Sequence, residues 1–260
     1  MMKRTIIAII CFVSVSCLNV IAGRPLVIDD ADPVDAGQYE LELGASSVRL
    51  PDCKHWDFPI GLTYGLMPAV EIGIGFGGQY ETRTEFLHDS GLQSTCKESG
   101  LGDLVIGAKW QCYKETKMIP RMAIVPSVKL PTADTDKGLG SGKTDFDLTW
   151  VASKTLSERM AVHVNVGYCF IGQPEEEEAG DIMHYGVASD YQIADSWQLV
   201  AEIFAENELL HGSNTAIQYN AGCRWSLVDN LTFDLAGGSV IKGDAPDLTV
   251  SAGLTLAFGN

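Results

Sequence analysis

Ionisable side chains in this sequence recur at even spacings. Asp145 and Asp147 are two apart, as are Glu40 and Glu42; Glu202 and Glu206 are four apart. Even spacing places residues on one face of a strand. On the same parity of neighbouring runs stand Lys109, Lys129 and Arg224. Lys109, Lys129, Asp145, Asp147, Glu202 and Arg224 are therefore candidate contacts for a solute in a polar lumen, where opposed charges would set up a transverse field. The bland alternative is ion pairing that fills and stabilises a narrow interior. Both readings stand on the residues alone.

Other chemistry is less well supported. Ser127, His163 and Asp145 fall on inward parity of neighbouring strands, but no nucleophile motif surrounds them, and such a trio arises by chance in a long β chain. No catalytic residue is assigned. Gly138–Thr144 (GLGSGKT) invites a phosphate-loop reading. The pattern needs Gly where Lys137 stands, and a helix should follow where an alternating strand does. The glycines fit a flexible outer loop. Glu175–Glu178 form a run of four carboxylates, a solvated loop tip or a divalent-cation contact at a lipopolysaccharide surface, without the spacing of a calcium loop. Beyond residue 22 stand Cys53, Cys96, Cys112, Cys169 and Cys223. Cys53 and Cys96 fall in outer loops and form a candidate disulfide in an oxidising compartment. None of the five has metal-ligand spacing, and no metal or cofactor is expected.

The elements that position these residues are strands. In the run from Pro120 to Ile171, Phe146, Leu148, Trp150 and Ala152 share one face, and Asp145, Asp147, Thr149 and Val151 the other. Twelve runs of this kind are legible: 38–47, 56–65, 70–80, 101–112, 120–130, 143–154, 160–171, 182–193, 197–207, 215–227, 231–241 and 247–258. At a tilt near 40°, ten residues cover about 25 Å, the height of a lipid-facing band. Connections alternate. Short ones (66–69, 156–159, 194–196, around 229–230 and the somewhat longer 113–119) separate mostly longer polar ones (48–55, 81–100, 131–142, 172–181, 208–214, 242–246). Charges of both signs share the face opposite the aromatics. A dry soluble core would charge several kcal/mol for each unpaired ion, and a wet lumen removes most of that cost. The pattern predicts an all-β fold: an antiparallel transmembrane β-barrel of about 12 strands, with short periplasmic turns and longer outer loops.

The chain ends agree. Lys3 and Arg4 precede the apolar stretch from Thr5 to Val15, and Val20-Ile21-Ala22 offers a cleavage site. Residues 1–22 read as a signal peptide; an N-terminal anchor and lipidation at Cys17 are the alternatives. Without Lys3 and Arg4 the chain has 16 basic residues against 34 acidic, a charge of −18, which excludes phosphate-neutralising nucleic-acid binding. Past residue 22 no apolar run is long enough for a membrane helix. Residues 23–37, with Asp29, Asp30, Asp32 and Asp35, read as an N-terminal periplasmic segment able to fold into the barrel mouth as a plug. Residues 38–260 form the barrel. Gly253–Phe258 resembles the C-terminal signal read by barrel-assembly machinery, although Gly259-Asn260 follow the aromatic.

Several blocks carry a family resemblance: Gly23–Ala31 (GRPLVIDDA), Gly100–Trp110 (GLGDLVIGAKW), Pro126–Thr132 (PSVKLPT), Gly138–Phe146 and His163–Tyr168 (HVNVGY). They resemble the bacterial outer-membrane family labelled "putative MetA-pathway of phenol degradation", whose members are often termed transporters. The resemblance runs from the mature start to about residue 193. It implies an outer-membrane barrel that moves small solutes, aromatic or hydrophobic ones among them, and it carries over no catalytic residue. The partners expected are outer-membrane lipid and lipopolysaccharide, the barrel-assembly machinery that would read the last strand, and a small-molecule solute. The competing function is a closed barrel with a structural or surface-interaction role.

Overall fold

Period-two alternation over ten or more residues leaves each strand with one apolar face, and a closed ring satisfies every backbone edge at once. The computed structural model shows that outcome. It describes residues 23–50, 53–87, 92–173, 179–209 and 215–259. The expected signal peptide and the Glu175–Glu178 run fall outside the described residues.

The described residues form thirteen strands: β1 (Gln38–Arg49), β2 (Cys53–Met67), β3 (Val70–Leu87), β4 (Leu92–Leu101), β5 (Leu104–Tyr113), β6 (Arg121–Leu130), β7 (Asp145–Ser157), β8 (Met160–Phe170), β9 (Ile182–Ala194), β10 (Trp197–Glu208), β11 (Ala216–Val228), β12 (Leu231–Lys242) and β13 (Leu248–Gly259). Neighbours in sequence pair antiparallel, except that β5 pairs with β3 and not with β4. β1 closes the ring on β13, from Gln38↔Gly259 to Arg49↔Leu248. β3 is long enough to pair with two partners. Its first half, Val70–Gly75, pairs with β5; its second half, Gly78–Leu87, pairs with β4. β4 and β5 are thus one stave broken at Gly102-Asp103, and the barrel has twelve staves.

That break explains the larger departure from the expected connections. Residues 81–100 read as a loop because both faces are polar. Above the lipid both faces are wet, so the alternation lapses while the backbone still pairs, and β3 and β4 extend the wall outward. At the break Asp103 leaves the ladder to accept from Ala133 N at 2.8 Å, which docks the 131–144 loop. Residues 48–55 depart too, because β1 runs to Arg49 and β2 starts at Cys53, pairing Arg49 with Lys54; the remaining connections keep the expected alternation. Residues 68–69, 158–159, 195–196 and 229–230 are tight turns on the side of both termini, and 131–144 and 171–181 are long loops on the other.

The faces follow the parity. On β3, Ile72, Ile74 and Phe76 are about two-fifths exposed, while Glu71 between them and the interior is 2% exposed. On β7, Phe146 and Leu148 face out and Asp145 and Asp147 are buried. This inversion of a soluble protein belongs to a barrel whose outer face meets lipid. Aromatic pairs mark the rims: Trp197 stacks on Trp225 at 5.2 Å and Tyr39 on Phe258 at 5.3 Å near the tight turns, and Tyr168 meets Phe170 at 4.7 Å near the long loops. The protein is an outer-membrane β-barrel.

Candidate functional site

The site is the lumen, and residues 23–37 lie in it. The segment carries backbone N–H groups that no ladder satisfies, so inward side chains must satisfy them. It enters beside β2, where Gly37 N donates to Gly65 O at 2.8 Å. It then runs around the interior wall. Val34 N donates to Glu71 on β3 at 2.5 Å. Gln111 on β5 donates to Ala31 O at 3.0 Å. Arg121 on β6 holds Asp32 at 2.7 Å. Ala31 N donates to Ser153 Oγ on β7 at 2.9 Å. With its amide oriented by its partners, Asn165 on β8 accepts from Asp29 N at 2.7 Å and donates to Asp29 O at 3.0 Å. Val27 N and Ile28 N converge on the Glu202 carboxylate of β10 at 2.8–2.9 Å. Arg24 reaches Asp234 on β12 at 3.3 Å and Ala252 O on β13 at 2.9 Å, and its N–H donates to Glu42 on β1 at 3.2 Å.

Small residues on the wall leave room for this path. A Cβ at Gly44 or Gly253 would strike the Arg24 guanidinium, one at Gly65 the backbone of Val34 and Asp35, and one at Gly186 the Ile28 side chain. Two apolar clusters anchor it further. Leu26 and Ile28 pack on Ala188, Val200 and Phe204, and Ala31 packs on Ala123, Val125 and Val151.

The six candidate lumen residues divide by depth. Lys109, Glu202 and Arg224 hold the segment. Lys109 is 3% exposed and binds Asp29 at 2.9 Å and Glu71 at 3.5 Å. Arg224 donates to Arg24 O at 2.6 Å and Gly23 O at 2.8 Å, and pairs with Asp190 at 3.2 Å. Lys129, Asp145 and Asp147 lie nearer the long loops. Lys129 pairs with Asp145 at 2.5 Å and Asp103 at 3.5 Å. Asp147 accepts from Thr149 at 2.7 Å and pairs with His184 at 2.8 Å. Higher still, His55 sits between Asp57 and Glu81 at 2.8 and 3.4 Å.

The structure regroups the His163 trio. Ser127 and Asp145 are not its partners. His163 Nδ1 meets Ser153 Oγ at 2.8 Å, and Nε2 lies 3.4 Å from Asp190. Ser153 is fully buried and accepts the Ala31 N–H, so this chain of groups supports the segment. Ser153, Asp190 and His184 share inward parity with the residues named from sequence, and that parity was the signal available for them. Cys53 and Cys96 are both in register with Arg83, one on each side of β3. Two strand spacings set them about 10 Å apart, beyond the Cα separation that a disulfide spans. The candidate disulfide is corrected on that ground: the strands that replace the expected loop interpose Arg83.

At the periplasmic rim, Arg121 also binds Glu115 at 2.6 Å, and Lys154 binds Glu115 at 2.9 Å. Desolvation pushes the Glu115 carboxyl up, but donors from Lys154, Thr155 and Arg121 outweigh it and hold the group at about 2. Asp32 moves the other way, raised by burial and by neighbouring Asp30 against the pull of Arg121.

With this geometry in hand, the comparisons are informative. No curated protein sequence matches the chain. An outer membrane channel from Pseudomonas putida F1 is similar in fold, with a TM-score of 0.68, 13% identity, and coverage of 88% of this chain and 98% of that one. The translocator domain of the autotransporter NalP from Neisseria meningitidis gives 0.56 at 11% identity over 88% and 91%. The KdgM porin gives 0.53 at 8% identity over 84% and 99%. At such identities the likeness is one of fold. A family model matches residues 22–258, so the chain belongs to the family described as "Putative MetA-pathway of phenol degradation".

Proposed function

We propose that this protein is an outer-membrane channel that passes small solutes, aromatic or hydrophobic ones among them, through a narrow polar lumen, and that residues 23–37 are its plug. The observation carrying this reading is how the segment is held. It is a separate length of chain seated on side chains of nearly every stave, and most of its links are polar bonds that water can replace. Glycines at Gly44, Gly65, Gly186 and Gly253 make the room it occupies. Twelve strands enclose a backbone diameter of about 24 Å. Withdrawal of the segment therefore leaves a water-accessible passage lined by Lys109, Glu202 and Arg224 below and Lys129, Asp145 and Asp147 above. The names of the similar folds, an outer membrane channel and a porin, agree with this reading.

The second reading is a closed barrel with a structural or surface role. The two apolar clusters under Leu26, Ile28 and Ala31 favour it, because they add a hydrophobic contribution that water does not replace. In either reading lipid covers the outer girdle, lipopolysaccharide surrounds the long-loop rim, and the barrel-assembly machinery reads β13. Neither reading assigns a reaction: the Ser153 hydroxyl is committed to the plug.

Planar-bilayer conductance separates them. Deleting residues 24–36 is expected to convert small or rare steps into large, stable ones, and Asp147→Lys in that background to shift the channel away from cation preference. Unchanged conductance after the deletion would reject the plug. A folded, heat-modifiable barrel without conductance in either form would favour the closed reading.

A further inference from the structure

The chain is strongly acidic, yet bases gather on one arc of its periplasmic rim. The connection 114–120, the strand ends beside it and the next turn carry Lys114, Lys117, Arg121, Lys154 and Arg159 against Glu115 and Glu158. The other turns on this side, 68–69, 195–196 and 229–230, hold no base, and Asp195 and Asp229 stand in two of them. We propose that the basic arc beneath β5–β8 is a docking surface for the head group of an anionic phospholipid. The inference concerns the barrel's contact with its membrane and stands whether or not the barrel conducts.

Glu115 does not cancel this charge. Its carboxylate is turned back to the wall, where Arg121 binds it at 2.6 Å, Lys154 at 2.9 Å and Thr155 N at 3.1 Å. Lys154 also donates to Thr116 O at 2.6 Å and Lys117 O at 3.3 Å, which ties the turn to β7. Thr116 N donates to Ile119 O at 2.9 Å, and Ile119 N to Thr116 Oγ1 at 3.0 Å, so the turn is also closed on itself. The result is a fixed platform on which Arg121 and Lys154 are spent internally. Lys114, Lys117 and, on the next turn, Arg159 are exposed, and among the described residues none of the three has an ion pair. Uncompensated charge of one sign on one arc attracts its counter-charge there.

The second observation is independent of charge and names the partner. Met118, between the free lysines and Ile119, is 87% exposed, and Tyr113 and Ile119 on either side of the turn are about two-fifths exposed. On the outer face of the same staves Trp110, Ile124 and Trp150 stand level, in register across β5, β6 and β7, with both tryptophans exposed. The basic turn is therefore continuous with the girdle that lipid already covers. An apolar tip flanked by ammonium groups and backed by tryptophan suits the boundary of a bilayer, where the stems and the methionine meet acyl chains and the charges meet phosphate. An acidic protein would answer the lysines and leave Met118 and its apolar neighbours in water. The lipid answers both.

The test is native mass spectrometry of the refolded full chain in detergent, titrated with phosphatidylglycerol and with phosphatidylcholine of the same acyl chains. Preferential retention of phosphatidylglycerol is expected, by about tenfold, and the preference should shrink as ammonium acetate rises. Lys114→Gln and Lys117→Gln should each weaken phosphatidylglycerol about fivefold, in line with loss of one base near an anionic surface, and leave phosphatidylcholine unchanged. Met118→Ser should weaken both lipids alike. Lys242→Gln removes an exposed base at the opposite rim and should change neither. All four side chains are exposed, and heat-modifiable migration checks that each variant is folded. Equal affinity for the two lipids, a preference unmoved by Lys114→Gln and Lys117→Gln, or one lost equally in Lys242→Gln overturns the proposal. So does displacement of phosphatidylglycerol by polyglutamate at lower concentration, which would make the arc a docking surface for an acidic protein.

Discussion

Lys109 shows how much one side chain decides in this lumen. It neutralises Asp29 of the N-terminal segment and Glu71 of the wall together, and all three are buried. Replacing it with Met leaves two buried carboxylates facing each other. Breaking a buried pair costs about 3–5 kcal/mol in a dry interior, and a wet lumen reduces that. Lys109→Met should lower the temperature at which the barrel loses its heat-modifiable form, and Lys109→Met with Glu71→Gln should recover part of the loss. A single variant as stable as the parent would show that the pair does not hold the segment. Glu115 makes a pH-dependent case. Its carboxyl is held below the ordinary value of 4.5, at about 2, so its contribution is full above the ordinary value and is lost as pH falls toward 2. Asp32, being raised, acts in the opposite sense: its contribution is lost as pH rises. Glu115→Gln should therefore lower thermal stability slightly at pH 7, where the contribution is full, change little near pH 2, and so flatten the drop between pH 5 and pH 2. The effect is small, because the group is partly exposed and screened.

At the scale of the element, the staves are specialised by height. Their periplasmic halves present acceptors and glycines to the segment, and their outer halves pair with one another. Gly65 on β2 is the sharpest instance, because the backbone of Val34 and Asp35 occupies the space of a side chain there. Gly65→Val should expel the segment from its entry point without breaking the β1–β2 or β2–β3 ladders. Conductance should rise while heat-modifiability persists. A variant with unchanged conductance would mean that the segment tolerates displacement at its root. β3 is specialised differently. By outlasting its partner β5 it recruits β4, and so raises the wall over one sector of the outer rim.

The molecule as a whole is a hydrophobic cylinder around a polar interior, and that interior is filled by its own N-terminus. The filler touches staves from β1 round to β13, so its seating reports on ring closure as a unit. Removing it is expected to open the lumen, and the deletion experiment therefore reads the function of the whole assembly.

The sequence alone determined the strands, their faces and the ring. Period-two alternation is a local property, written in consecutive residues such as Asp145–Ala152, and alternating connection lengths order the staves without any contact being known. It also placed Lys109, Glu202 and Arg224 on the inner face and marked residues 23–37 as acidic and unlike a strand. Which inward group meets which was decided by the tertiary structure alone. Ser153 meets His163 one stave away because register brings them level, whereas Ser127 and Asp145, of the same parity, are at another height. Cys53 and Cys96 read as neighbours in outer loops until β3 placed Arg83 between them. The path of the N-terminal segment depends on partners up to 228 residues away, as from Arg24 to Ala252. Such contacts follow from closure of the ring, and no periodicity within a strand encodes them.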